Sequence, residues 1–212
     1  MMRVVLLAVL AAFLLGGCGL LAEREPVDRA WFLLELPEES DAGLADDAAA
    51  PVAVELGSVR VAPAYADKGL VYRLGPHEYE SDYYNEWFLR PAEQVEQLLR
   101  ERWTREDGGV RLVDDARAER AAGQPVIELH VLVTALYGDL DAGGEEDIAR
   151  VGLRARLGGA ERAELAHFEA GEPLDRRSPQ ALVAELSRGM GDTLRELEAK
   201  LEAFARAEAE AS

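Results

Sequence analysis

Cysteine is almost missing from this chain of 212 residues, with Cys18 the single example. One thiol allows no internal disulfide and no thiolate metal cluster. Histidine is nearly as scarce, and His77, His130 and His167 fall at no spacing that reads as a metal-ligand motif. The sequence has no glycine-rich loop ending in Gly-Lys-Ser or Gly-Lys-Thr, so it encodes no nucleotide cradle of that kind. The nucleophile pattern Gly-x-Ser-x-Gly is also missing, since Ser58 stands between Gly57 and Val59. Adjacent carboxylates such as Asp46-Asp47 and Asp114-Asp115 read as solvated surface rather than as an acid and base pair. A catalytic role is therefore not expected. Positive charge is short as well. Against 41 acidic residues the chain has 23 Lys and Arg, a formal net charge of −18, and its general field repels nucleic acid and anionic headgroups. Long apolar runs are lacking too, because the longest stops well before the ~20 residues of a membrane-spanning helix.

What is present starts at the N-terminus. Met1-Met2-Arg3 leads into an apolar run over residues 4–15, which closes on Leu15-Gly16-Gly17-Cys18. A basic start, a short apolar run and small residues at its end form the pattern of a secretory signal. A buried core helix would leave Arg3 and the two glycines without a role. Leu15, Gly16 and Gly17 before Cys18 resemble the lipobox of bacterial lipoproteins. That resemblance implies cleavage before Cys18, acylation of its sulfur and a lipid-anchored N-terminus, with no cofactor beyond the acyl chains. Each buried methylene contributes ~0.8 kcal/mol, so several chains hold far more firmly than one. Gly19, rather than an aspartate, follows the cysteine, and the expected location is the outer membrane, facing the periplasm. Removal of Arg3 leaves the mature chain one charge more negative.

The expected division is a signal peptide over 1–17, an acylated tether over 18–29, one domain over 30–206 and an acidic tail over 207–212. Residues 30–36 form an apolar run closed by Pro37 and read as a strand buried on both faces. Residues 37–51 are rich in Asp, Glu, Ala and Gly without periodicity and read as a loop. Residues 52–56 and 59–61 alternate, and Gly57-Ser58 between them shifts the phase, which marks a bulge. A strand at 70–74 and a hairpin partner at 79–83 follow. Pro91 opens a helix whose stripe is Val95, Leu98, Leu99 and Trp103, stopped by Gly108-Gly109.

A short strand at 110–113 and an acidic, alanine-rich connection lead to the clearest strand, 126–137. On it Ile127, Leu129, Val131, Val133, Ala135 and Tyr137 share one face, with Glu128, His130 and Thr134 on the other. Residues 149–157 alternate with Arg150, Arg154 and Arg156 on one side, and Gly158-Gly159 turns them into a strand at 162–170. Ser178 as N-cap and Pro179 open the last helix. Its stripe is Leu182, Leu186, Met190, Leu194, Leu197, Leu201 and Phe204. The expected fold class is α+β: a single domain with a mostly antiparallel sheet of about eight strands and two helices packed on one face.

Two clusters stand out as candidate contacts. Tyr83, Tyr84, Trp87 and Phe88 form the densest aromatic block and suit partner docking, since aromatics dominate interfaces. On a helix, Tyr84, Trp87 and Phe88 would instead share a core face. Arg150, Arg154 and Arg156 suit a headgroup or an acidic partner, against a solvated face opposite glutamates of a neighbouring strand. His130, close in sequence to Glu128, suits a polar sheet face better than a catalytic dyad.

The order of elements, with Leu56-Gly57-Ser58-Val59-Arg60-Val61-Ala62-Pro63-Ala64-Tyr65, Asp82-Tyr83-Tyr84-Asn85-Glu86-Trp87-Phe88-Leu89-Arg90-Pro91 and Leu136-Tyr137-Gly138-Asp139, resembles the ABC-type transport auxiliary lipoproteins. That group includes the PqiC-like lipoproteins of MCE lipid-transport systems. Two positions depart from it: Ala66 stands where a leucine is usual, and residues 138–147 are strongly acidic. The resemblance implies a non-enzymatic partner of an MCE-domain protein, a permease and an ATPase, anchored by lipid, docking or guiding the periplasmic assembly at the outer membrane. It leaves a homo-oligomer open. An independent lipid carrier with its own acyl-chain cavity is the alternative.

Overall fold

Alternating apolar and polar residues build one sheet of eight strands, seen in a computed structural model that describes residues 28–37, 51–104, 109–141 and 146–211. The lipobox residues Leu15, Gly16 and Gly17, and Cys18 itself, lie outside the described residues. The strands are β1 (Ala30–Phe32), β2 (Val52–Val61), β3 (Gly69–Gly75), β4 (Glu78–Trp87), β5 (Val110–Leu112), β6 (Val126–Asp139), β7 (Asp147–Gly158) and β8 (Ala163–Leu174). The helices are α1 (Pro91–Trp103), α2 (Ala116–Ala121) and α3 (Pro179–Ala211).

β6 is the spine of the sheet. Along one edge it pairs first with β2 and then, at Gly138 and Asp139, with β3, while its other edge carries β7 and then β8. β4 and β1 extend the sheet beyond β3, and β5 extends it beyond β2. The sheet is mixed rather than mostly antiparallel. β1–β4, β2–β5, β2–β6 and β3–β6 are parallel; β3–β4, β6–β7 and β7–β8 are antiparallel. Strand periodicity is the same for both kinds of ladder, so alternation alone does not distinguish them. Strands separated by long connections return in parallel here, whereas those joined by short turns are antiparallel.

The third helix is a second correction. α2 lies in the acidic, alanine-rich connection before β6, and the Asp115 side chain caps it by accepting from the Ala118 N–H at 2.9 Å. Only α1 and α3 share a face of the sheet. α2 sits on the opposite face at one corner, where Ala116 packs with Ala53 and Val126 in a small separate core. α3 starts as expected: the Ala181 N–H donates to Ser178 Oγ at 3.2 Å. Its stripe from Leu182 to Phe204 is no more than 1% exposed and fills the space against β6, β7 and β8. A fully buried side chain of this size contributes about 1.5–3 kcal/mol, so this seam holds much of the fold.

α1 joins the same core through Val95, Leu99 and Trp103. It ends at Trp103, with Thr104 as its C-cap, before the glycines expected to stop it. A buried ion pair ties it to α3. Arg102 donates from Nε and Nη2 to the Glu198 carboxylate at 2.6 and 2.9 Å, and Trp103 Nε1 donates to the same carboxylate at 2.7 Å. The extended segment 33–37 runs between the two helices. The Leu34 N–H donates to Gln94 Oε1 at 2.7 Å, and the Glu35 N–H donates to Ser187 Oγ at 3.2 Å.

Two strand readings change in detail. The first strand is not buried on both faces: it is a three-residue edge strand, and Trp31 is 58% exposed. In β6 a register shift between Val133 and Ala135 moves the buried phase to Leu136, and Tyr137 crosses to the polar face. The bulge expected at Gly57 is present as a register shift between Leu56 and Ser58. A Cβ at Gly57 would stand 2.6 Å from the His130 ring, so a side chain there would displace the imidazole from its place over the bulge.

Candidate functional site

The face of the sheet opposite α1 and α3 carries the polar phase of β2, β6, β7 and β8. Register places Arg60, Leu132, Arg154 and His167 in one row across these strands, and Ser58, His130, Arg156 and Leu165 in the next. Arg60, Arg154 and Arg156 are exposed and form no ion pair among the described residues. The glutamates expected on the neighbouring strands share this face but stand diagonal to the arginines, Glu128 on β6 and Glu169 on β8. Arg154 lies between Leu132 and His167, and Arg156 between His130 and Leu165. The result is a row of arginines without direct ion pairs among the described residues, on a chain of net charge −18.

Arg150 differs from the other two. It donates from Nε to Asp139 Oδ2 at 2.7 Å, while Arg73 on β3 donates to both Asp139 oxygens at 2.8 and 2.7 Å. Burial pushes the Asp139 carboxyl up, but donation from Arg73, Arg150 and the Asp141 N–H outweighs it and holds the group below the usual carboxylate range. Beside this knot Tyr65 stacks on Tyr137 with centroids 5.5 Å apart, and Tyr79 meets Tyr137 edge-on at 5.7 Å. Burial first, then its two tyrosine neighbours, pushes the Tyr65 phenol up to about 12, so it stays neutral. The cluster joins the turn after β2 to β3, β4 and the end of β6. It uses the Tyr65 and Tyr137-Gly138-Asp139 motifs structurally.

The parallel register of β2 on β6 also brings Ser58 to the Glu128 and His130 pair of β6. Ser58 Oγ lies 2.9 Å from His130 Nδ1, and His130 Nε2 lies 3.1 Å from Glu128 Oε1. These are the atom types of a hydrolytic relay. Acyl transfer also needs a pocket and oxyanion donors. Ser58 and His130 sit instead on the open strand face, between Arg60 and Arg156. The arrangement orients polar side chains over that face, as the strand pattern of Glu128 and His130 implies.

A second surface lies at the β1–β4 edge. Between Ser81 and Glu86, β4 passes only Val71 to Gly69 of β3, so it bulges outward. Asp82 Oδ1 accepts from the Tyr84 and Asn85 N–H groups at 2.8 and 3.0 Å, an Asx turn that shapes the bulge. Tyr83 and Tyr84 stand out from it, Tyr83 at 64% exposure, and Phe88 is exposed just after β4, whereas Trp87 is 2% exposed and belongs to the core. The block is strand rather than helix, which separates Trp87 from the other three. Gly69 permits the bulge, since a Cβ there would approach the Asp82 carbonyl oxygen to 2.8 Å. Gly69→Ala is expected to cost about 1–3 kcal/mol in urea unfolding. It should also change the near-ultraviolet signal of the tyrosines, whereas an unchanged midpoint would mean that the bulge is not held by this contact.

A groove of about 520 Å³ opens between segment 33–36 and α1, lined by Leu33, Leu36, Phe88 and Leu98 with Glu101 and Arg102. Another of about 820 Å³, at the start of β6, is lined by Val52 and Ile127 with Arg111, Arg120 and Glu208. Both have charged walls, and the space between sheet and α3 is filled by the α3 stripe.

Residues 32–198 match the family described as ABC-type transport auxiliary lipoprotein component. The chain belongs to this family. Its auxiliary role in transport accords with the non-catalytic reading of Ser58 and His130. No curated protein matches the sequence significantly. A solved protein of Xanthomonas campestris is 15% identical, with a TM-score of 0.65 over 85% of this chain and 99% of its own. An uncharacterized protein of known structure is also 15% identical, with a TM-score of 0.61 over 82% of this chain and 99% of its own. These two likenesses concern the fold alone. Among the described residues no helix is long and apolar enough to cross a membrane.

Proposed function

We propose that this auxiliary lipoprotein is anchored at the outer membrane through acylated Cys18 and docks the periplasmic MCE-domain protein of a lipid-transport system. A permease and a cytoplasmic ATPase complete the system, and the ATPase supplies the energy. The observation that carries the docking role is the open sheet face, where Arg60, Arg154 and Arg156 project without a carboxylate partner among the described residues. Cations left unpaired on an acidic chain fit an acidic surface on a partner, and complementary charge speeds and orients encounter. The filled seam under α3 favours this interaction module over an independent carrier.

The test is affinity purification of the tagged lipoprotein from gently solubilised envelopes, read by mass spectrometry. The MCE-domain protein with its permease and ATPase is expected to co-purify, and Arg154→Glu with Arg156→Glu to lose them at least tenfold. Recovery of the lipoprotein alone, with lipid bound, would overturn docking in favour of the carrier.

A further inference from the structure

Eight large apolar side chains are exposed among the described residues, and five of them, Trp31, Leu33, Tyr83, Tyr84 and Phe88, lie at the β1–β4 edge. Backbone pairing brings the segments that carry them together. Trp31 pairs with Glu86 on β4, the Phe88 N–H donates to the Phe32 carbonyl at 2.8 Å, and Tyr83 meets Tyr84 edge-on at 5.2 Å. Together they expose on the order of 400 Å² of aromatic and aliphatic surface, the size of the largest apolar patch of a typical monomer, which is often functional. Cations rim the patch. The Arg29 guanidinium lies 4.7 Å over the Tyr83 ring, and Lys68 Nζ donates to the Phe88 carbonyl at 2.6 Å.

The chain enters the domain at this patch, since Asp28 and Arg29 lead directly into β1. Ten Cα steps separate Cys18 from Asp28. At ~3.3–3.6 Å each they span at most about 35 Å, less than the ~40 Å diameter of a domain this size. An acyl anchor at Cys18 therefore holds the entry point, and the aromatic edge around it, within about 35 Å of the membrane, which excludes the far pole of the domain.

We propose that this edge seats in the lipid headgroup layer, with Trp31, Tyr83, Tyr84 and Phe88 inserted and Arg29 and Lys68 reaching lipid phosphates. The inference rests on acylation of Cys18. Trp and Tyr rings favour the bilayer interface because they join an apolar body to a polar tip. The net charge of the domain opposes an anionic surface, so attachment here depends on ring insertion and local cations rather than on a general field. Seating the β1–β4 edge leaves the arginine stripe on β2 and β7 free for a partner.

Trp31 makes the test direct, because the other two tryptophans, Trp87 and Trp103, are each 2% exposed. The acylated full chain is reconstituted in vesicles of phosphatidylethanolamine and phosphatidylglycerol, with or without phospholipid brominated near the carbonyl end of its chains. Flotation is measured on the same samples. The protein is expected to float and its emission to be quenched by bromine, the quenching being lost in Trp31→Phe and reduced at least twofold in Tyr83→Ser with Phe88→Ser. Flotation without quenching would overturn the seating and leave the anchor standing. Cys18→Ala is expected to lose flotation and quenching together. Flotation undiminished in that variant would overturn the anchor reading and the inference that rests on it.

Discussion

Glu198→Ala is expected to lower the unfolding free energy by about 3–5 kcal/mol, the usual cost of removing one partner from a buried ion pair. The Arg102 and Glu198 side chains are 3% and 1% exposed, so the cation left behind is out of reach of bulk water. The same carboxylate accepts from Trp103 Nε1, and its removal also strips a buried indole N–H of its acceptor. Glu198→Gln keeps one oxygen and the shape, so its cost should be smaller, near 1.5–3 kcal/mol. Both are read from urea midpoints at unchanged m-value. Replacing the pair by Arg102→Met with Glu198→Leu should recover most of the loss, because desolvating the two charges offsets much of their attraction. A Glu198→Ala variant within about 1 kcal/mol of wild type would mean that α1 and α3 do not depend on this contact.

Asp139→Asn is expected to cost about 1.5–3 kcal/mol at neutral pH, in the range of hydrogen bonds to charged groups. The Asp139 side chain is inaccessible, but Arg73 and Arg150 are 24% and 38% exposed, so water screens part of the loss. The effect depends on pH with a definite sign. The folded carboxyl titrates below its unfolded value, so the unfolded chain binds the extra proton in between and stability rises with pH there. The contribution of Asp139 is complete above the unfolded value, near pH 4, and disappears as pH falls through the depressed folded value. Wild type should therefore lose stability on acidification more steeply than Asp139→Asn, and the two should converge at the acid end. Parallel pH profiles would show that the carboxylate is not held ionised by the two arginines.

The Asp139 knot also explains why the three arginines of β7 do not act alike. Alternation placed Arg150, Arg154 and Arg156 on one side of a strand, and that placement is correct. Which of them remains free depends on β3, a strand more than 70 residues earlier in sequence, whose Arg73 shares Asp139 with Arg150. Arg60 joins Arg154 and Arg156 for the same reason. β2 lies beside β6 in parallel, and the bulge at Gly57 sets which of its side chains face that way.

Local chemistry determined much of this protein. The alternation of 52–61 with its glycine slip, the Pro91 start of α1, the Ser178-Pro179 start and seven-residue stripe of α3, and the family motifs are all short-range signals. They depend on backbone sterics and on which face of an element is apolar, and both are written in neighbouring residues. Tertiary structure decided the parallel ladders, the slip in β6 that turns Tyr137 outward, the side on which α2 packs, and the contact of Ser58 with His130. It also separated buried Trp87 from exposed Tyr84 and Phe88, with which as a helix it would have shared a core face, and left Tyr83 exposed beside them. Each of these depends on partners distant in the chain. A strand's own residues fix its period, but its neighbour, direction and register come from the burial achieved by the whole sheet.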